Sequence, residues 1–503
     1  MFDYHAIAPE LIIGATLLAV IATDLLAPEG RKYLAGVVGL VGLAAAAIPL
    51  LTLATCGELA TCSEAGPRVM FGGSYVVDDF ALVLKALFIV TGVVTLLLSV
   101  GYIEEDRYYQ GEFYFLVLAS VAGAVVMASS RDLITLFVGL ELVSGPAFLL
   151  SGWRKGDVRS NEAALKFFLI GVLSAAILLF GMSLVYGMTG ALTFEGIREA
   201  SVAVADEPAF VLGVVFVLVG FGFKISAVPF HFWAPDTYQG APTPVAAYLS
   251  VGSKAAGFVG LLTVCYLAFA EVADVWGPAL WLLAALTMTL GNVTALRQTN
   301  VVRLLGYSSI AHAGFILVPF AMAAEFDAAG LEEAFFASVT YILVYAFMNL
   351  GAFGAVIAAA AKSGSGEIDD WAGMGRYAPG VAALLGLFFF SLAGIPPLAG
   401  WFAKFVMFKA VLGVASNPWA VSLAVIAAVN AVIALYYYAR VIKTVFMDPV
   451  PVTAPADEAA TRPVSRPLAL ALGLTAVVVV VTGFLPQVLA FFGEAAKALA
   501  LGP

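Results

Sequence analysis

Three lysines, a glutamate and a histidine stand in stretches of the chain that are otherwise almost wholly apolar. Lys254 lies close to the middle of Val245 to Phe269. Lys224 follows the apolar run Ala209 to Phe223 and precedes Pro229, and Lys404 follows Pro396 and Pro397 within one long apolar stretch. Glu141 sits in the middle of Leu133 to Gly152, and His312 comes soon after Tyr307, Ser308 and Ser309. An amine taken out of water holds its proton less tightly, and a nearby carboxylate restores that hold. A row of such groups bridged by histidine, tyrosine and water could therefore pass a proton along. Arginine would not serve, because it stays charged.

Placing a charge at the centre of a membrane helix costs roughly 2.5–3.5 kcal/mol, so such residues usually face a bundle interior or a hydrated cavity. Each has a structural alternative. A midplane histidine is often a hydrogen-bonded packing residue, and a buried glutamate can tie two helices, although it needs a partner in either role. Lys85, Lys166 and Lys409 stand nearer the ends of their segments and can extend toward headgroups instead. Tyr341, Tyr345 and Asn349 recur every four residues and so share a helix face, a polar stripe for a hydrated interior.

The elements that must position these groups are membrane helices. Of 503 residues, 62% are hydrophobic and only 12% carry Asp, Glu, Lys or Arg, with a mean hydropathy of +1.01. An ordinary soluble domain is about 25% charged, so a soluble enzyme, a nucleic-acid binder and a disordered protein are excluded. The chain is expected to be all-α and polytopic, with about fourteen transmembrane spans and the lipid bilayer as its solvent. Their starts fall near residues 8, 33, 79, 112, 133, 163, 209, 243, 278, 302, 333, 379, 419 and 467. The net charge of −10 argues against nucleic acid and against a polybasic lipid-docking role. Three cysteines match no zinc or iron–sulfur pattern, so no metal site is expected. The opening MFDYHAIAPE lacks Lys and Arg, so the first apolar run is expected to remain as a span.

With the N-terminus outside, the inner loops hold fourteen Lys and Arg, including Arg31, Lys32, Arg154, Lys155 and Arg440. The outer loops hold four: Arg68, Arg131, Arg198 and Lys497. That bias predicts both termini outside the cytoplasm. It also puts Cys56 and Cys62 in an outer loop, where they could oxidise to a disulfide.

Spans 4 to 8 and 9 to 13 read as two five-helix repeats. An odd repeat length makes their topologies opposite, and spans 7 and 12, fourth in each unit, both carry a lysine near a proline break. The expected divisions are an N-terminal three-helix segment (1–110), a first repeat (111–270), a second, inverted repeat (271–446), and a loop with helix 14 (447–503).

The segment GFGFKISAVPFHFWAPDTYQGAPTPVAAYLSVGSKAAGF resembles the signature of the proton-pumping antiporter-like subunits of respiratory complex I, a superfamily shared with Mrp-type cation/proton antiporters. FHFWAPDTYQGAPTPV, GNVTALRQTNVVRLLGYSSIAHAGF and SLAGIPPLAGWFAKF resemble its subunit N branch, which is subunit 2 in mitochondria. The similarity runs from about span 3 through span 13. It implies that Glu141 pairs with Lys224, that Lys254 belongs to a central axis, and that Lys404 is the lysine of span 12. His312 takes the place of polar residues leading to a proton route. It also implies a NADH–quinone oxidoreductase subunit that moves protons while quinone is reduced elsewhere. This chain would bind no cofactor itself; FMN, iron–sulfur clusters and quinone would lie in partner subunits. Subunits K and M and the lateral helix of subunit L would be its neighbours, in the cell (plasma) membrane. A multisubunit Na⁺/H⁺ antiporter, a membrane-bound hydrogenase and a purely structural spacer are the competing readings.

Overall fold

The computed structural model describes residues 3–56, 66–104, 111–450 and 463–497. The expected Cys56–Cys62 pairing involves Cys62, and most of the polar loop before span 14 also lies outside the described residues. Apart from a hairpin of β1 (Arg68–Met70) and β2 (Tyr75–Val77), the described residues are almost entirely helical.

Among the described residues, twelve helices are long and apolar enough to cross a membrane on their own, or thirteen if Asp369–Tyr377 and Pro379–Ala393, bent by 117°, count as one span. All fourteen segments expected from the sequence correspond to helices. The difference in count comes from the two broken spans, whose halves are too short singly. Span 7 runs Pro208–Lys224, stops, and resumes as Trp233–Gly240. Span 12 runs Pro379–Ala393 and resumes as Gly400–Leu412. The prolines between the halves lack the N–H a continuing helix needs, and Ser226 adopts φ +59°, which ends the helical path.

Spans 4–8 and 9–13 repeat the same local devices. Span 5 (Leu133–Ser151) is capped by Asp132, whose carboxylate accepts from the N–H groups of Ile134 and Thr135. Span 10 (Val301–Glu325) is capped by Asn300, which accepts from Arg303 N–H. Asp132 pairs with Thr193 in a one-residue antiparallel bridge, and Asn300 pairs likewise with Glu367. Span 6 (Val158–Thr189) and span 11 (Ala328–Ser363) each end on a left-handed glycine, Gly190 at φ +68° and Gly364 at φ +75°, where a Cβ would be strained.

Close approach of helix backbones fixes the interior. A Cβ on Gly291 in span 9 (Ala270–Ala295) would lie 2.7 Å from the backbone nitrogen of Ala311 in span 10. A Cβ on Gly123 in span 4 (Gly111–Ser129) would lie 2.7 Å from that of Val143 in span 5. Small residues let membrane helices meet through their backbones, the main source of packing where lipid is as apolar as leucine. Gly291→Val should therefore destabilise by about 1–3 kcal/mol through overpacking. The check is a lowered thermal midpoint of the purified protein in detergent.

Candidate functional site

Glu141, Lys224, Lys254, His312 and Lys404 are all buried or half-buried. Lys224 is the last residue of the first half of span 7, 7% exposed, with its Nζ 3.6 Å from Glu141 Oε1. It also donates to Ser144 Oγ, one turn beyond Glu141 on span 5, and Ser144 in turn donates to the carbonyl of Leu140. The Glu141 side chain is 34% exposed on this chain and its Oε1, 3.6 Å from the ammonium, makes no hydrogen bond, so it is an incomplete partner for Lys224. We therefore expect Glu141→Gln to preserve the fold, since Ser144 still holds Lys224, and to slow proton uptake by about tenfold or more. The measurement is the pumping rate relative to the amount of protein present in membranes.

Lys254 stands in span 8 (Thr243–Ala268), directly after a π-helical turn at Leu249–Ser253. Such turns open the helix locally and recur at functional sites. The lysine is 2% exposed, and its Nζ donates to both the carbonyl oxygen, at 2.8 Å, and the hydroxyl of Ser309. No carboxylate pairs with it among the described residues. One turn along span 8, Gly257 lies against the Lys224 side chain, where a Cβ would sit 3.0 Å from Lys224 Cβ. The absence of a side chain there brings spans 7 and 8 together between the two lysines.

Span 10 carries the polar groups onward. Ser308 exchanges a hydrogen bond with Tyr438 Oη of span 13 (Pro418–Met447), and that hydroxyl lies 3.4 Å from His312 Nε2. His312 Nδ1 lies 3.0 Å from Tyr341 Oη of span 11. The imidazole thus faces a different phenol on each side, the arrangement that lets it accept a proton on one nitrogen and release one from the other.

Lys404 reaches back from the second half of span 12 and donates to the carbonyl of Ala393, the last residue of the first half, at 2.6 Å. A helix C-terminus has unpaired carbonyls and a partial negative charge, which suits an ammonium in an apolar setting. Its Nζ also lies over the Phe315 ring, 5.3 Å from the centroid. Phe315 is three residues beyond His312 on span 10. Both broken spans thus place an ammonium at the break: Lys224 ends the first half-helix, and Lys404 returns to the end of one. Gly394, at φ +88°, must be glycine twice over, because a Cβ there would lie 2.8 Å from Lys404 Cδ. Gly394→Ala is expected to displace Lys404 from the Ala393 carbonyl and to slow proton transport, while Gly413→Ala, away from the lysine, should have little effect; transport by the two variants at equal assembly is the check.

The structure places the residues expected from the sequence in four separate clusters: Glu141–Lys224–Ser144, Lys254–Ser309, the Ser308–Tyr438–His312–Tyr341 chain, and Lys404 at Ala393. No hydrogen bond joins one cluster to the next among the described residues. Of the stripe on span 11, Tyr341 meets His312, while Asn349 Nδ2 donates to Ser250 Oγ at 2.7 Å; Tyr345 is buried and its hydroxyl makes no hydrogen bond. Tyr438 and Ser144 were not singled out. Tyr438 lies in the run LYYYAR near the end of an apolar segment, where tyrosines ordinarily mark the headgroup level.

The remaining lysines separate by environment. Lys166, 42% exposed, pairs with Glu162 and Asp236, and Lys409, 58% exposed, pairs with Glu333, as expected of residues near span ends. Lys85 does not extend toward headgroups: it is fully buried and pairs with Glu10.

Residues 130–434 match the family model described as NADH:quinone oxidoreductase/Mrp antiporter, TM. NADH-quinone oxidoreductase subunit N 2 of Streptomyces griseus is 44% identical, over 98% of this chain and 93% of that protein. Subunit N of Trichlorobacter lovleyi is 38% identical, over 99% and 97%. A chain of respiratory complex I from Thermus thermophilus superposes with a TM-score of 0.76 at 31% identity, covering 96% of this chain and 98% of that one. A chain of the Mrp complex from Dietzia shares the fold, with a TM-score of 0.83 at 20% identity over 100% of this chain and 98% of that one. The chain belongs to the NADH:quinone oxidoreductase/Mrp antiporter family of membrane proteins, in its NADH-quinone oxidoreductase subunit N branch.

Proposed function

We propose that this chain is the proton-translocating subunit N of a NADH–quinone oxidoreductase, and that it performs no redox step itself. The observation that carries this reading is three deeply buried lysines, each at a helix break or directly after a π turn, with one glutamate and one histidine in the same helix bundle. Glu141 and Lys224 form the loading pair. Lys254 is the central carrier, held by Ser309 alone among the described residues, so no carboxylate there locks its charge. His312 with Tyr341 and Tyr438 passes the proton toward Lys404, the terminal site.

Oxidoreduction then takes place on FMN, iron–sulfur clusters and quinone in partner subunits, with this chain contributing no ligand to them. The matched caps and bridges support two repeats, with proposed boundaries at 111–270 and 271–446. Subunits K and M and the lateral helix of subunit L are the proposed neighbours. The complex would reside in the plasma membrane with both termini of this chain outside, as the charge bias favours.

Affinity purification of the tagged chain from mild detergent tests the assignment. Co-purification of flavin- and cluster-bearing subunits with NADH–quinone reductase activity is expected. Recovery only with the small membrane subunits of a cation/proton antiporter would replace this reading.

A further inference from the structure

The N-terminal helices hold a second buried ion pair that the central clusters do not use. Lys85 of span 3 (Asp79–Glu104) is fully buried, and its Nζ lies 2.7 Å from Glu10 Oε1 of span 1 (Ala8–Leu26). Tyr75, on β2, donates its hydroxyl to the same oxygen at 2.6 Å and accepts from Lys85 Nζ at 3.2 Å. A carboxylate, an amine and a phenol therefore share one triangle. Glu10 Oε2 is buried and makes no hydrogen bond, and neither does the buried Ser129 hydroxyl at the end of span 4. Buried polar atoms nearly always have a partner, protein or water, so each of these oxygens has free capacity to exchange a proton.

Next to the triangle is a cavity of about 690 Å³, lined by Val76, which follows Tyr75, by Leu82, one turn before Lys85, and by the Arg131–Asp78 pair at 2.6 Å. Arg68, Arg198 and Glu195 also line it. On the core side, Thr91 and Thr95 of span 3 are buried, and neither hydroxyl has a hydrogen-bond partner. Thr91 touches Gly252, in the π turn two residues before Lys254; a Cβ on Gly252 would sit 3.1 Å from Thr91 Cγ2. Lys85 and Thr91 are separated by about 9 Å of helix rise. Thr91 thus stands between the turn beside Lys254 and the triangle, and Thr95 lies a further turn along span 3, away from Lys85.

We propose that Glu10, Lys85 and Tyr75 form a second proton-holding site, linking the Lys254 turn to the face that bears the β1–β2 hairpin. The step balances within the triangle. Lys85 gives a proton to Glu10 Oε1 and becomes a neutral amine, the carboxyl turns about its own axis and releases that proton to water toward the cavity, and a proton from the Thr91 side restores the ammonium. With the N-terminus outside, this would be an outward release route. It rests on the proton-translocating reading above.

A purely structural tie between spans 1 and 3 is the rival, and the double variant Glu10→Leu with Lys85→Met separates the two. Replacing a buried ion pair by apolar residues of similar volume is often neutral or stabilising, so the complex should still assemble. In proteoliposomes of the purified complex, outward proton release should fall by about tenfold or more, as when a positioned acid–base group is lost. Tyr75→Phe, which keeps the ring and its packing, should lower release in the same direction and serves if the double variant does not assemble. Wild-type release in either assembled variant would overturn the inference. If Lys254→Met still stops pumping in that case, the central relay stands without this site; if Lys254→Met also pumps normally, the reading beneath both is wrong.

Discussion

Lys254→Met should assemble normally and lose proton translocation almost completely. The lysine has no carboxylate partner among the described residues, so removing its charge strands no opposite charge, and methionine fills a similar volume in an apolar setting. Ser309 loses a donor to its carbonyl and its hydroxyl; the hydroxyl can turn to the span's own backbone, as Ser338 and Thr475 do in theirs. What disappears is the titratable amine that the proposed relay places between the Glu141–Lys224 pair and the His312 chain. A positioned acid–base group typically contributes about 10²- to 10⁴-fold to proton transfer, so the loss should approach the detection limit. Because pumping and quinone reduction are coupled in the proposed complex, electron transfer should slow as well. The measurement is NADH–quinone reductase rate and acidification in the same proteoliposomes, normalised to assembled complex.

The second large effect is expected at position 404, and here the informative substitution is the one that keeps the charge. Lys404→Arg preserves a cation that can still bond the Ala393 carbonyl, so the broken helix retains its end partner. A guanidinium does not release its proton in proteins. If Lys404 cycles between charged and neutral forms, arginine should fail almost as badly as Lys404→Ala, by about a hundredfold. If the site needs only a fixed positive charge to satisfy the half-helix terminus, arginine should pump nearly as well as lysine. The comparison is pumping by the Arg and Ala variants at equal assembly.

Much of this arrangement was legible in the sequence because the membrane makes polar residues conspicuous. Lys224, Lys254 and Lys404 stand out since lipid offers no solvation, and Pro229, Pro396 and Pro397 mark the breaks in spans 7 and 12 because proline cannot continue a helix. Partners were harder to read. Ser309 resembles any helix serine until Lys254 from another span lies beside it, and Tyr438 sits in a tyrosine run that suggests a headgroup belt. Glu10 and Lys85 each lie near a helix end, where long polar side chains ordinarily reach water; only the packing of span 1 against span 3, with Tyr75 across them, encloses the pair. Exposure of Glu141 was likewise invisible, because periodicity cannot say which face of a wholly apolar helix turns outward.

The central claim is that protons cross this chain through its own buried lysines, and the most direct measurement is the number of protons translocated per NADH oxidised by the complex carrying Lys254→Met. A ratio below wild type, or turnover so slow that both fluxes fall together, is the predicted result. A wild-type ratio at a wild-type rate would contradict it.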